Sequence, residues 1–261
     1  MIMEGLSAVT AAILVGGLGT RLRPAVADRP KVLAPVSGRP FLLYLLDQLS
    51  AAGIRSVVLC TGHRADQVRE TAGETYGGLR LVYSHEAEPL GTGGAIRLAL
   101  SLLGSDPVLV MNGDSYCAAN LGDFHQWHLA RRSSASLLLT EVEDTGRFGR
   151  VLISEDGTVR GFEEKGGKGG HGWINAGVYL LGRARLLEIP GTGAVSLERD
   201  MFPGWIGRGV HGYRGPRRFI DIGTEESYAA AEGFFREHGF ASSGDYDKGA
   251  DRMDPGKGIR R

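Results

Sequence analysis

Residues 8–24 read AVTAAILVGGLGTRLRP. Eight apolar or small residues, 8–15, run without a polar partner at helical spacing and stop at Gly16-Gly17, which predicts a buried strand and then a tight turn. A strand apolar along its whole length belongs in a sheet covered on both faces. In open sheets of that kind, ligands bind beyond the carboxyl ends of the strands. Gly16, Gly17 and Gly19 would let backbone N–H groups close around a phosphate chain, with Thr20 inside the same loop. Arg21 and Arg23 add cationic donors, and Lys31 follows within reach. Three glycines, two arginines and a lysine suit a triphosphate.

Two other phosphate loops fail. The dinucleotide pattern G-x-G-x-x-G reaches Gly17-x-Gly19 but then meets Leu22, and Gly167-Lys168 is followed by Gly169 instead of the Ser or Thr of a P-loop.

Outward from that loop the first half alternates in period. Helices are predicted over 41–52, 64–72 and 94–103, and strands over 55–61, 79–83 and 107–111. This repeat implies an α/β fold with a mainly parallel sheet flanked by helices. The second half reads as strands over 134–142, 148–153, 158–163 and 174–181, with short helices near 121–132 and 196–201 and a last helix over 224–236. We read residues 1–240 as one domain with a mixed sheet, and the Gly-, Asp- and Lys-rich residues 241–261 as a disordered tail.

The 261 residues carry 30 basic and 30 acidic side chains. With no net charge there is no global field to hold a nucleic-acid polymer. The sequence has no apolar run of about 18 residues and no basic-then-apolar leader, so neither a membrane span nor a signal peptide is expected. Cys60 and Cys117 read as buried free thiols in a reducing cytoplasm. His125-x-x-His128 has no further Cys or His close by and is read as a packed helix face instead of a zinc site.

Other stretches carry chemistry. EPLGTGGA (88–95) is a Gly-rich helix entry that could approach a base edge through its backbone, with the Thr92 hydroxyl beside it. Asn112-Gly113-Asp114 ends an apolar strand and aims a carboxylate into the same cleft. Asp221, in FIDIGTEESY, ends another, and two carboxylates suffice for a hard ion such as Mg2+ that also binds phosphate oxygens. Glu163-Glu164-Lys165 and Asn175 supply a point charge for a phosphate and partners for sugar hydroxyls.

In order, GGLGTRLRP, PK, GTGGA, NGD, EEK, NAGVY and DIGT resemble the sugar-1-phosphate nucleotidyltransferases over roughly residues 9–236. Within that family EPLGTGGAI (88–96), NGDS (112–115), INAGVYLL (174–181) and SLERDMFP (196–203) are most similar to the D-glycero-D-manno-heptose 1-phosphate guanylyltransferases. The resemblance implies a Rossmann-like, GT-A-like fold and a cytoplasmic enzyme that moves a nucleotidyl group from GTP to a heptose 1-phosphate. A hexose acceptor with another triphosphate, or a non-catalytic nucleotide-sugar sensor, are the alternatives. By resemblance, Gly16, Gly17, Gly19, Thr20 and Arg21 form the triphosphate loop, Lys31 contacts phosphate, and Gly91 and Thr92 line the base pocket. Asp114 and Asp221 would bind Mg2+, while Gly149, Glu164, Lys165 and Asn175 would hold the sugar phosphate. Relatives often have proline after the Glu-Lys pair, but here Gly166-Gly167-Lys168-Gly169-Gly170 follows, which implies a mobile lid. Partners are the two substrates, with neither nucleic acid nor membrane, and a homo-oligomer stays open.

Overall fold

The computed structural model describes residues 5–17, 28–166 and 169–237. Gly19, Thr20, Arg21, Arg23 and the expected tail 241–261 lie outside the described residues.

The first half runs β1 (Thr10–Leu14), a hairpin of β2 (Pro35–Val36) and β3 (Arg39–Pro40), α1 (Phe41–Ala51), β4 (Ser56–Thr61) and α2 (Ala65–Ala72). It continues through β5 (Thr75–Tyr76), β6 (Leu79–His85), α3 (Gly91–Leu98), β7 (Val108–Asn112), β8 (Ser115–Cys117) and α4 (Leu121–Ala130). The second half comprises β9 (Ala135–Val142), β10 (Val151–Ile153), β11 (Val159–Phe162), β12 (Gly172–Leu181), α5 (Arg183–Glu188), α6 (Phe202–Trp205), β13 (Val210–Arg214), β14 (Phe219–Asp221) and α7 (Glu225–Glu237).

Eight strands form one twisted sheet in the order β13-β9-β12-β7-β1-β4-β6-β5. β1 pairs in parallel with β4 and β7, β4 with β6, and β13 with β9, whereas β12 is antiparallel to both neighbours. The sheet is therefore mixed and mainly parallel, as expected. Its central strands are largely apolar because each face has its own core. Ala11 and Ile13 of β1, with Leu109 and Met111 of β7, pack on one side with Phe41 of α1 and Phe235 of α7. Ala12, Val108 and Val110 face the other side, with Ile96 of α3 and Leu186 of α5.

From β1 the chain builds outward through β4 and β6, then returns to lay β7 on the opposite side of β1. The carboxyl ends of β1 and β7 thus flank the point where winding reverses, which is where an open sheet leaves a crevice. Gly113 N donates to Leu14 O at 3.0 Å and closes the floor of that crevice.

Several elements differ from the sequence expectation. The strand expected at 148 starts at Val151, because Phe148 and Gly149 donate to Thr145 O in a turn, and Gly149 has φ of +79°. The strand expected to end at residue 83 continues to His85. The helix over 94–103 starts earlier, at Gly91, and tightens to 3-10 geometry over Ala99–Leu102. Residues 197–201 form a π-helical turn. β8, β13 and α5 had no sequence counterpart.

Candidate active site

The crevice encloses about 340 Å3 and is lined by Gly16, Gly17, Lys31, Glu86, Gly91 and Asp114, among others. Gly16 and Gly17 leave β1 directly into it. Gly16 packs so closely on the neighbouring strand ends that a Cβ there would stand 2.6 Å from Glu86 Oε1 and 3.0 Å from Gly62 N.

The two strand-end aspartates come together. β8 follows Asp114 at once and pairs with β14, so that Asp221 lies opposite Ser115, and Ile222 N donates to Asp114 O at 2.9 Å. Lys31, which follows Pro30 into a single 3-10 turn, donates from Nζ to Asp114 Oδ2 at 2.7 Å. A Cβ on Gly223 would meet both Asp221 Oδ2 and Lys31 Nζ, at 2.5 and 3.7 Å, so Asp221 and the lysine that holds Asp114 both lie against Gly223. Asp221 also accepts from Arg147 Nη2 at 2.5 Å. Each carboxylate therefore has a cation on it, and a divalent ion would share or displace those contacts. Among the described residues no group of three or more His, Cys, Asp or Glu side chains could hold a metal by itself. Asp114 on the cleft wall with Asp221 beside it is a donor set that Mg2+ would complete with phosphate oxygens and water.

The far wall is the entry to α3. Gly91 has φ of +72°, and a Cβ on it would stand 2.5 Å from Val195 O, so only glycine fits. The Thr92 hydroxyl is turned to the framework: it donates to Glu198 Oε2 at 2.7 Å and accepts from Leu197 N. Glu198 Oε1 accepts from the buried Tyr179 hydroxyl, which in turn receives Asn175 Nδ2 at 2.8 Å. Asn175 is thereby tied through Tyr179 and Glu198 into the network that holds Thr92.

Glu164 and Lys165 line a second cavity of about 540 Å3 with Thr145, Gly146, Arg150 and Glu163. Gly149 abuts the same wall, a Cβ there standing 2.6 Å from Glu163 O. Arg147 follows Gly146 of this cavity and pairs with Asp221, which lies against Gly223 of the first one. The structure thus brings together Gly16, Gly17, Lys31, Gly91, Thr92 and Asp114, with Asp221 beside them, and separately Gly149, Glu164 and Lys165.

Glu86 is the wall residue that sequence alone passed over. Its Oε2 accepts from Leu90 N at 3.1 Å, and burial pushes its carboxyl above the usual carboxylate range. The rule that found Asp114, an acid at the end of an apolar strand, finds Glu86 once β6 is known to end at His85. Cys60 also lines the cleft. It and Cys117 are free and buried, and burial raises both thiols to about 12, so they are packing groups and not nucleophiles.

Residues 10–237 match the family described as nucleotidyl transferase. The chain is 37% identical over 224 residues to a mannose-1-phosphate guanylyltransferase of Mycobacterium tuberculosis, covering 84% of this chain and 62% of that one. It is 35% identical over 223 residues to a D-glycero-alpha-D-manno-heptose 1-phosphate guanylyltransferase of Aneurinibacillus thermoaerophilus, covering 85% of this chain and 96% of that one. The crystal structure of HddC from Yersinia pseudotuberculosis complexed with GMP-PN superposes with a TM-score of 0.76 at 32% identity, covering 87% and 99%. The chain is an enzyme of the nucleotidyl transferase family. Its similarity within that family runs to the guanylyltransferases of sugar 1-phosphates.

Proposed function

We propose that this chain transfers a guanylyl group from GTP to D-glycero-D-manno-heptose 1-phosphate, in the cytoplasm, giving a nucleotide-sugar and pyrophosphate. The observation that carries the reading is the meeting of Asp114, Asp221 and Lys31 at one end of a cleft whose other end presents Glu86 and the entry to α3.

The residues divide the work. A sugar phosphate is mostly dianionic at neutral pH, its second pKa being about 6, so its oxygen attacks the α-phosphorus with no general base. A new P–O bond forms there as the bond to the bridging oxygen breaks and pyrophosphate leaves with that electron pair. The obstacle is repulsion between two polyanions. Lys31, with Arg21 of the glycine loop, offsets it on the triphosphate side, and Lys165 on the acceptor side. Gly16, Gly17, Gly19 and Thr20 cradle the triphosphate with main-chain N–H groups. Mg2+ held by Asp114 and Asp221 would neutralise phosphate charge in the transition state. Glu86 accepts from the N1–H and N2–H2 donors of guanine, a pair that no other common base presents in that arrangement. Gly149 and Glu164 complete the acceptor site. Asn175, its amide anchored on Tyr179, is the remaining residue of that acceptor site.

An activity matrix tests the assignment: five nucleoside triphosphates against heptose, mannose and glucose 1-phosphates, with pyrophosphate release as readout. GTP with heptose 1-phosphate should give the highest kcat/KM. A higher value with a hexose phosphate refutes the acceptor, and a higher value with another triphosphate refutes the donor.

A further inference from the structure

The second cavity is lined by residues 145, 146 and 150 on one side and by residues 163–166 and 169 on the other; Lys165 sits on the latter side and Arg150 on the former. Lys165 and Gly166 are exposed, and glycines flank the turn, so little in the local sequence holds the lysine in one place. The structure holds it from the facing segment. Asp144 Oδ1 accepts from Gly146 N at 2.9 Å on its own turn and from Gly170 N at 3.1 Å across the gap. Thr145 N donates to Gly170 O at 3.0 Å, and Gly166 N to Gly146 O at 2.9 Å. Arg150 closes the other side: Nη2 donates to Gly169 O and His171 O, each at 3.1 Å, while its own carbonyl receives Glu163 N at 2.8 Å. The Asp144 carboxylate and the Arg150 guanidinium thus clasp the 169–171 end of the loop that carries Lys165, while main-chain bonds from Glu163 N and Gly166 N hold its other end. The two N–H donors also hold the Asp144 carboxyl below the usual carboxylate range, so it stays an acceptor across the working pH.

We infer that Asp144, seconded by Arg150, is a positioning residue for the acceptor: by pinning Gly170 to the 144–146 turn it fixes Lys165 over the second cavity and sets the affinity for the sugar phosphate. The inference rests on the reading of Lys165 as the acceptor-phosphate cation. Asp144 is exposed and touches no core side chain, so its removal leaves the fold intact. Because the bonds run from two N–H groups to one oxygen, asparagine keeps the acceptor and alanine does not.

The experiment measures KM for the sugar phosphate and for GTP in the parent chain, Asp144→Ala, Asp144→Asn and Lys165→Ala, with tryptic cleavage after Lys165 as a readout independent of turnover. Asp144→Ala should raise the sugar-phosphate KM about tenfold, the scale of losing hydrogen bonds to a charged acceptor, leave KM for GTP unchanged, and speed the cleavage. Asp144→Asn should restore both. If Lys165→Ala raises the sugar-phosphate KM while Asp144→Ala does not, the positioning role is wrong and the site reading survives. Equal rises in both KM values, or an Asp144→Asn variant as impaired as the alanine one, also overturn it. No change in Lys165→Ala overturns the site reading itself and the inference with it.

Discussion

Glu86 sits with one oxygen on Leu90 N and the other against Gly16 and Gly62, facing the cleft. Replacing it by glutamine swaps an acceptor for a donor opposite guanine N1–H or N2–H2. Glu86→Gln should lower kcat/KM for GTP by roughly tenfold to a hundredfold, with little change for the sugar phosphate, as read from initial rates at varied GTP. The ionised carboxylate is the form that accepts, and its affinity for protons is raised by burial. Binding of GTP should therefore hold above that raised value and weaken as pH falls through it, at a higher pH than for an ordinary glutamate. Calorimetric titration of GTP against pH checks this, and Glu86→Gln should flatten the profile. At this scale the sequence was informative at Gly16-Gly17, Asp114 and Asp221, where a glycine or an acid closes a strand, and missed Glu86 because its strand was read as ending at residue 83. Asp114 and Asp221 stand where their strand ends placed them. Thr92 does line the cleft, but its hydroxyl is spent on Glu198, a partner 106 residues away that no local pattern exposes.

Among the elements, α4 shows a second consequence of burial. His125 and His128 share its inner side, and His128 Nδ1 lies 2.8 Å from Ser136 Oγ of β9. Burial, with His125 and His211 nearby, depresses the His128 imidazole from 6.5 to about 4. The folded chain then holds a neutral ring where the unfolded chain would take a proton. The stability it contributes is whole above about pH 6.5 and is lost as pH falls toward 4, by roughly 2 kcal/mol at pH 5. Urea midpoints should fall between pH 7 and 5, and His128→Gln should lessen that slope. Gly91 gives a backbone test. Gly91→Ala puts a methyl 2.5 Å from Val195 O at φ of +72° and should lower the thermal midpoint and raise KM for GTP. The long apolar strands and their helices were legible because period and composition agree. β13, with His211, Gly212 and Arg214 among its five residues, was hidden because it is stabilised by parallel pairing to β9 and not by its own pattern. The 148–153 strand was overextended because the left-handed Gly149 turn was not visible in its neighbours.

For the whole molecule, the reversal of winding at β1 and β7 is what turns a list of loops into one cleft. It sets the glycine loop beside Asp114, and the β8–β14 ladder then delivers Asp221 from over a hundred residues later. The order of motifs announced the sheet, but the pairing of Arg147 with Asp221 depends on tertiary folding and could not be read from spacing. The most direct measurement is pyrophosphate release from GTP on adding heptose 1-phosphate, with and without Mg2+, in the parent chain and in Asp114→Ala, whose side chain is 43% exposed and so is dispensable for folding. Release that requires Mg2+ and falls at least about a thousandfold in a folded Asp114→Ala protein is the expected result. Near-normal release in that variant would contradict the account.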